Sequence, residues 1–378
     1  MAIILDRVVF SSVTVTDRTE WTFAEIVDSR GEGALVEVTR GVHTPRVVTL
    51  LTDSIDTLRG QPIDDEAVLA ASLSVTLGEL QADPDLATAV SALRTAVVEL
   101  QAKERGLSLA EFLGGPPGES VELYANINRG LFAGGRTTSE FAAAAERAVG
   151  EGFATVKCAP FDEVRPSMST TEIAAAARPG IERVAAVRRA VGDDVRVLVD
   201  CHSRFTASSA LPVADELRKL NVGWFEEPLQ PMRDARDLAS IAGAVAMPIA
   251  GGESGYGEEF FAGLLEGGTV SIIMPDVKYC GGVAEAFKAG TDALRAGRGV
   301  SLHSPSGPVS SLAGAHVTAV TTGAMPLEYA VHEASWRAEL LVPAERVADG
   351  RMWLPGAPGL GVTLNVATVL RHGRRWEP

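Results

Sequence analysis

Short apolar runs and helical stretches alternate along the last two thirds of the chain, and this alternation limits the choice of fold more than any other feature. The runs are, in chain order, VELYANI, ATVKCAP, VRVLVDCH, VGWFEEP, MPIAGGE, VSIIMPDV, GVSLHSP and MPLEYAV. Strands joined by helical crossovers run parallel, and eight of them close into a barrel. An open doubly wound sheet would need a glycine-rich phosphate turn after its first strand, and NINRG offers none. The sequence therefore predicts an α/β fold, a TIM-like (β/α) barrel.

The first part of the chain is organised differently. Up to about residue 60 it has the pattern of strands, with a hairpin loop at residues 29–33, and residues 64–113 have a helical period. The cluster GGPPG at 114–118 ends those helices. We predict an α+β capping domain over residues 1–118, the barrel over 119–335, and a C-terminal segment, 336–378, that packs back on the capping domain.

Composition disfavours several classes of function. The formal net charge of -15 at pH 7 argues against binding to nucleic acid or to anionic membranes, because such binding relies on Lys and Arg. Cys158, Cys201 and Cys280 are the only cysteines, which fits a reducing compartment better than a disulfide framework. Asp6 interrupts the short apolar start, and no apolar run reaches the ~18 residues of a membrane span. We expect a cytoplasmic homo-oligomer with a small-molecule substrate.

Polar, ionisable residues stand at the ends of seven of the eight barrel strands. They are Lys157, Asp200, Glu226, Glu253, Asp276, His303 and Glu328. The carboxyl ends of barrel strands meet on one face, where barrel enzymes hold their active sites. A single residue of this kind could be a helix N-cap, but seven in register are hard to explain as caps.

Three of these residues offer only carboxylate oxygens. Asp200, Glu226 and Glu253 follow three consecutive strands, and such hard donors suit Mg²⁺ better than Zn²⁺. Glu227 is a competing candidate, but neighbours on a strand face opposite sides, so only one of the pair can point into the barrel. We choose Glu226 and expect Glu227 to lie behind the site or in an ion pair between layers.

The motifs VKCAPFD, VDCHSRF, WFEEPL, GGES, MPDVKYCGGV, HSPSGPV and LEYA stand in the order and spacing of the enolase superfamily. The chain resembles the mandelate racemase group of that superfamily over its whole length, including LAEFLGG in the capping domain. The resemblance implies that Asp200, Glu226 and Glu253 bind Mg²⁺ and that His303 and Asp276 form the base dyad. It also implies that Glu328 hydrogen-bonds the substrate carboxylate and that Lys157 is a cation on the opposite face. The implied reaction removes the proton next to a carboxylate, which needs a positioned base and a stabiliser of the enediolate. His303 would then be neutral, with Asp276 fixing its tautomer.

Two departures from the family pattern bear on the type of reaction. Racemases of the family carry Lys-x-Lys at the second strand, whereas Ala159 stands here two residues after Lys157, so a second base is missing. Lys278 could replace that base if it reached the pocket, but we expect a lysine of a loop or helix start. His202 resembles the histidine of Asp-x-His-x-Arg in D-galactonate-type dehydratases, where it is the general acid for the departing hydroxyl. By the two-residue period of a strand, His202 would share the face of Asp200.

We therefore predict a dehydratase, a carbon–oxygen hydro-lyase. Its substrate would be an acid sugar such as an aldonate, or a hydroxyproline, because HSPSGPV also resembles the HxPxGP stretch of cis-3-hydroxyproline dehydratases. A racemase or epimerase that uses a lysine together with His303 is the alternative enzyme. A binding protein that keeps the fold without catalysis is the alternative outside enzymes.

The family selects its substrates through loops of the capping domain, which we expect at residues 11–23 and 41–51. Their polar or amphipathic residues are Thr16, Arg18, Trp21, His43 and Arg46. We expect most of these to be solvated. Arg337, next to Trp336, could bind a carboxylate, but a surface ion pair is the expected role.

Overall fold

The computed structural model describes residues 2–116, 119–131, 135–229 and 235–378. Its N-terminal part consists of three strands followed by five helices: β1 (Leu5–Thr14), β2 (Glu20–Asp28), β3 (Gly33–Glu37), α1 (Thr44–Leu58), α2 (Leu69–Ser72), α3 (Leu77–Ala82), α4 (Pro84–Glu104) and α5 (Leu109–Phe112). The strands form an antiparallel meander, with a hairpin between β2 and β3 at the predicted position. One face of the sheet packs on α1 and α4 around Phe10, Ile26, Leu51 and Leu93.

Helix α1 corrects the prediction that the chain is strand-like to about residue 60, with a loop at 41–51. Val47, Leu51, Ile55 and Leu58 are buried at spacings of four and three residues, so one helix face meets the sheet. Pro45 stands in the first turn, where its missing N–H leaves no hydrogen bond unmade. The β-branched run of residues 47–49 favours a strand locally, but burial of the helical stripe outweighs that preference.

In the part of the chain that the structure describes, eight parallel strands then alternate with seven helices. They are β4 (Ser120–Asn126), α6 (Thr138–Gly150), β5 (Thr155–Cys158), α7 (Thr170–Val191), β6 (Arg196–Asp200), α8 (Ala207–Lys219), β7 (Val222–Glu226), α9 (Ala235–Ala242), β8 (Ile249–Gly251), α10 (Glu258–Glu266), β9 (Ile272–Ile273), α11 (Gly282–Arg295), β10 (Gly299–Val300), α12 (Pro308–Val320) and β11 (Leu327–Ala330). The ladders run in the order β11, β4, β5, β6, β7, β8, β9, β10. Among the described residues β10 and β11 share no ladder, but Met325 N donates to Val300 O at 2.8 Å across that junction. The predicted (β/α) barrel is confirmed.

The inside of the barrel is apolar at its floor and polar above it. Tyr124, Leu198 and Trp224, from β4, β6 and β7, meet in one buried cluster with residues of β8 and β9. Two residues further along each of these three strands stand Asn126, Asp200 and Glu226. Because side chains of a strand alternate between its faces, these polar groups also point inward, one layer nearer the carboxyl end. The two-residue period of the strands thus places a polar layer directly above the apolar floor.

The C-terminal segment consists of short strands and one helix: β12 (Leu341–Val342), β13 (Val347–Ala348), β14 (Arg351–Trp353), β15 (Thr363–Leu364), α13 (Val366–His372) and β16 (Gly373–Trp376). β16 pairs antiparallel with β1, and Trp376 stacks on Phe10 at 5.6 Å between ring centroids. β14 pairs with β4 at the start of the barrel. The division into 1–118, 119–335 and 336–378 is retained as a proposal, and its first boundary, Gly118, lies outside the described residues.

Two further expectations concern membranes and cysteines. None of the described helices combines the length and the apolar character that crossing a membrane requires. Cys158, Cys201 and Cys280 are buried free thiols.

Candidate active site

A cavity of about 330 Å³ lies at the carboxyl ends of the barrel strands, beneath the loops of the N-terminal part. A second groove, of about 550 Å³, lies beside it on the N-terminal sheet and α1. The groove is larger, but none of the predicted catalytic residues lines it, whereas five of them line the smaller cavity: Asp200, His202, Glu253, His303 and Glu328. We therefore take the smaller cavity as the candidate active site.

Three carboxylates converge at this cavity. Asp200, Glu226 and Glu253 each offer an oxygen, and these oxygens lie within 4.8 Å of one another. Asp200 and Glu226 are buried at the ends of β6 and β7, while the side chain of Glu253 is 23% exposed just after β8. Such a set of oxygen donors fits a hard divalent cation. Glu227, as expected, turns away, and Gly252 N donates to its Oε1 at 2.7 Å.

Lys157 lies fully buried between two of the predicted site residues. Its Nζ is 2.6 Å from Glu226 Oε1 and 2.7 Å from Glu328 Oε1. Burial lowers the pKa of Lys157, but the two carboxylates outweigh it and raise the pKa well above its ordinary value. Lys157 is not among the described residues that line the cavity. This geometry favours a fixed positive charge behind the site over a base.

Glu328 joins several strands at the cavity wall. Asn126 Nδ2 donates to its Oε1 at 2.7 Å, and Ser304 N donates to its Oε2 at 2.9 Å. Burial alone would raise the pKa of Glu328, but Lys157 and the other donors lower it. The carboxylate is thus held ionised and immobile.

The predicted dyad is assembled. His303 Nδ1 and Asp276 Oδ2 are 2.8 Å apart, and His303 Nε2 lies 3.2 Å from Glu253 Oε2. Burial lowers the pKa of His303, but Glu253, Glu328 and Asp276 raise it to about 10. These carboxylates favour the protonated imidazole, in contrast to the neutral form expected from the sequence. A dication held by the three carboxylates would oppose that effect.

His202 lines the cavity, but not for the reason given by the sequence. Strand β6 ends at Asp200, and His202 and Ser203 adopt positive φ angles of 48° and 55° in a turn. The turn brings His202 Nε2 to 2.9 Å from Asp200 Oδ2, with the side chain 48% exposed. Asp200 raises the pKa of His202 to about 9, which favours the protonated imidazole, and a dication bound to Asp200 would oppose that effect as it would at His303.

Lys278 corrects the expectation of an ordinary loop lysine. It does lie in the loop after β9, but its side chain is only 4% exposed and lines the cavity. Lys278 Nζ lies 2.9 Å from Tyr279 Oη and 3.8 Å from Asp276 Oδ2. Because Asp276 also bonds His303, Lys278 lies on the side of that histidine.

Arg337 forms an ion pair as expected, but a buried one. Its Nε donates to Glu345 Oε2 at 2.9 Å, and its Nη1 donates to Ser306 O at 2.7 Å. It therefore supports the loop after His303 and does not reach the cavity.

Only some of the candidate residues of the capping loops line the cavity. Arg18 and Trp21 line the cavity, and Thr16 lines the neighbouring groove. His43 and Arg46 contact Asp85 instead, at 3.3 and 2.9 Å.

Several residues at the site were missed by the sequence analysis. Asn126 and Asn128 line the cavity, and the two-residue period from Tyr124 could have identified Asn126. Glu37, at the end of β3, accepts from Gly307 N at 2.9 Å and from Ser310 N at 3.1 Å. These N–H groups begin α12, directly after the loop that carries His303. No local signal marks Glu37, since its partners lie about 270 residues away.

Replacing Glu37 by Ala is expected to lower the free energy of unfolding by about 1–3 kcal/mol, because two buried N–H groups lose their acceptor. Turnover should fall as well, since the loop after His303 loses its anchor. Urea denaturation and steady-state kinetics measure both. Glu37→Gln keeps one acceptor oxygen and should lose less, whereas unchanged stability in Glu37→Ala would contradict the anchoring role.

The comparison with known families agrees with this geometry. The family model described as "Enolase C-terminal domain-like" matches residues 140–368, more than half of the chain. The chain belongs to the enolase superfamily. The resemblance drawn from its sequence motifs is confirmed.

Individual relatives give a finer comparison. A D-gluconate dehydratase of Thermoproteus tenax is 33% identical over 293 residues, which cover 77% of this chain and 57% of that protein. A D-galactarolactone cycloisomerase of Agrobacterium fabrum is 30% identical over 288 residues, covering 74% and 72%. The chain spans about half the length of the D-gluconate, D-xylonate and arabinonate dehydratases that it matches. The solved structure of a mandelate racemase/muconate lactonizing enzyme from Jannaschia sp. CCS1 has the same fold, with a TM-score of 0.86, 24% identity and 98% of each chain covered.

Proposed function

We propose that this enolase superfamily member is a Mg²⁺-dependent dehydratase of a small hydroxy-carboxylate, an acid sugar such as an aldonate or a hydroxyproline. One observation carries the proposal. His303 Nε2 faces the carboxylate trio at 3.2 Å from Glu253, and its other nitrogen is bonded to Asp276. A base and a cation site therefore share one cavity. The acid-sugar dehydratases among the relatives support the same class of substrate.

Each residue has a defined part in this reaction. Asp200, Glu226 and Glu253 would hold Mg²⁺, which would supply positive charge next to the substrate carboxylate. His303 takes the proton from the α-carbon, and the electrons of the broken C–H bond pass into the substrate carboxylate. Asp276 holds the tautomer of His303 and stabilises its positive charge.

Loss of the hydroxyl needs a second proton. We assign it to His202, which lines the cavity and lies beside Asp200. As the C–O bond breaks, His202 donates its proton to the departing oxygen, and water leaves. From an acid sugar the product is an enol, which becomes a 2-keto acid, and from a hydroxyproline it is an enamine, which becomes an imine.

The arrangement argues against a racemase. Inversion of the α-carbon needs a second base on the face opposite His303. Lys157 is enclosed between Glu226 and Glu328, and Lys278 lies on the side of His303 through Asp276. A binding protein without catalysis is disfavoured as well, because it has no need for three converging carboxylates. Calorimetry with Mg²⁺ tests the second alternative, because the absence of saturable binding would favour a binding protein over either enzyme.

His202→Gln is expected to stop release of water while His303 continues to exchange the α-proton with solvent. General-acid catalysis is worth about 10²–10⁴ in rate, which is enough to separate the two steps. The measurement is NMR in D₂O on wild type and variant with a substrate from a panel of acid sugars and hydroxyprolines. Dehydration at the wild-type rate would move the acid role to another group. An inverted α-carbon without dehydrated product in the wild type would make the enzyme a racemase or epimerase.

A cytoplasmic location and a homo-oligomeric state stay predictions from the sequence.

A further inference from the structure

The wall of the cavity beyond Asp276 is built from hydrogen-bond donors. Lys278 is buried there, and its ammonium group has three donors. One of them is directed at Tyr279 Oη at 2.9 Å, while Asp276 Oδ2, at 3.8 Å, is too far for a hydrogen bond. Two donors of a buried lysine therefore have no hydrogen-bond acceptor among the described residues.

Arg40, three residues after the end of β3, also lines this cavity. Its guanidinium lies 4.8 Å from the centre of the Tyr279 ring, and Lys278 Nζ lies 4.4 Å from that centre. Arg40 uses Nε to contact Asp85 at 3.3 Å. Both Nη groups have no acceptor in the described parts of the chain. Two cations on one aromatic ring repel each other, which an anion between them would relieve.

Arg18 completes this wall from the loop between β1 and β2. It lines the same cavity, and its side chain is exposed and has no ion-pair partner among the described residues. Asp17, the neighbour of Arg18, is the acidic residue of that loop, and Glu20, the first residue of β2, also lines the cavity. Lys278 and Arg40 thus keep donors that no described residue accepts, and Arg18 lies on the same cavity.

Lysine and arginine side chains donate hydrogen bonds and never accept them. The ligand group best suited to this wall is therefore a charged acceptor, because hydrogen bonds between charged groups are the stronger ones. A carboxylate offers these donors two charged oxygens, whereas the hydroxymethyl end of an aldonate offers one neutral oxygen.

We propose that the substrate is an acid sugar with a carboxylate at each end, and that Lys278, Arg40 and Arg18 bind the carboxylate that does not react. This inference rests on the proposed function and narrows its substrate class from aldonates to aldarates. The reacting carboxylate lies at the trio beside His303, and the far carboxylate lies at the donor wall.

The test compares pairs that differ only at the far end: D-glucarate with D-gluconate, and galactarate with D-galactonate. We expect kcat/KM to favour the dicarboxylate by about 10- to 100-fold, the usual effect of a hydrogen bond to a charged group. 6-Phosphogluconate is included, because a preference for it would mean a terminal phosphate and overturn the assignment.

Variants of the three cationic residues test whether they cause the preference for the dicarboxylate. Lys278→Met and Arg40→Met should each reduce the ratio of the two kcat/KM values to a few-fold or less, whatever their effect on overall rate. Arg18→Met, at an exposed position, should reduce the ratio without disturbing the fold. Arg59→Met is the matched control, since Arg59 pairs with Asp56 away from the cavity and the ratio should not change. An unchanged ratio in Lys278→Met and Arg40→Met would overturn the proposal.

Binding separates this inference from the proposed reaction. Calorimetry with Mg²⁺ and His303→Asn should give tighter binding of glucarate than of gluconate, even if neither is dehydrated by the wild type. Efficient dehydration of gluconate with no preference for glucarate would contradict the inference of a dicarboxylate substrate and leave the proposed dehydratase reaction intact. Preferred binding of glucarate without any dehydration by the wild type would contradict the proposed dehydratase reaction and leave the inference about the second carboxylate intact.

Discussion

His303→Asn is expected to abolish both dehydration and the exchange of the substrate α-proton with solvent deuterium. The imidazole faces the carboxylate trio, and in the proposed reaction it removes the proton before the C–O bond breaks. Asparagine keeps a polar group of similar size but cannot act as a base at neutral pH. We expect a loss of at least about 10⁴ in kcat, at the upper end of the range for general bases. NMR in D₂O follows both events.

His332→Asn is the matched control for this substitution. His332 pairs with Glu151 at 2.8 Å outside the cavity, so activity should stay close to wild type. Exchange that survives in His303→Asn would transfer the base role to a lysine. Lys157→Ala then distinguishes the cases, because loss of a fixed charge slows the reaction, whereas loss of a base stops exchange.

Glu253→Gln is expected to abolish turnover and to weaken Mg²⁺ binding while the barrel stays folded. The substitution removes one of three negative charges at nearly constant volume. Glu253 is also the most exposed member of the trio, at 23% of its side chain, so the fold tolerates the change. We expect kcat/KM to fall by at least about 10³, since a hard cation binds through charged oxygens. Calorimetry with Mg²⁺, circular dichroism and steady-state kinetics give the three measurements.

Glu259→Gln makes the same chemical change at an exposed position of α10 and should leave metal affinity unaltered. Wild-type activity of Glu253→Gln after removal of metal would contradict the Mg²⁺ assignment. An unfolded Glu253→Gln would mean that the trio serves the fold.

The barrel and the main site residues could be predicted because both depend on short-range patterns. Tyr124, Leu198 and Trp224 form the apolar floor of the barrel, and the two-residue period of a strand places the polar layer two residues after each of them. Parallel strands then bring the ends of successive β/α units to one face, so Asp200 and Glu226 meet although 26 residues separate them. No knowledge of tertiary contacts is needed for that step.

The rest depends on contacts between distant segments. The partners of Glu37 on α12 lie about 270 residues away, and Tyr279 meets Thr39 across 240 residues. Arg40 lies over the ring of Tyr279 beside Lys278, and the ring of Trp21 lies 5.3 Å from the guanidinium of Arg337. No local pattern encodes these contacts with the N-terminal part, which help to bury both side chains. α1 was missed for the opposite reason, because its local β-branched residues resemble a strand.

The hydrogen bonds of Glu37 bear on how this enzyme could be re-engineered. Exchanging the capping domain for that of a relative is an obvious route to a new substrate. Here, however, the end of β3 also holds the N-terminus of α12, and a Cβ at Gly307 would lie only 2.9 Å from Glu37 Oε2. A transplanted domain would therefore have to bring an acceptor of the same length at this position, with glycine opposite. Any exchange of the N-terminal part would therefore also change what holds the loop after His303.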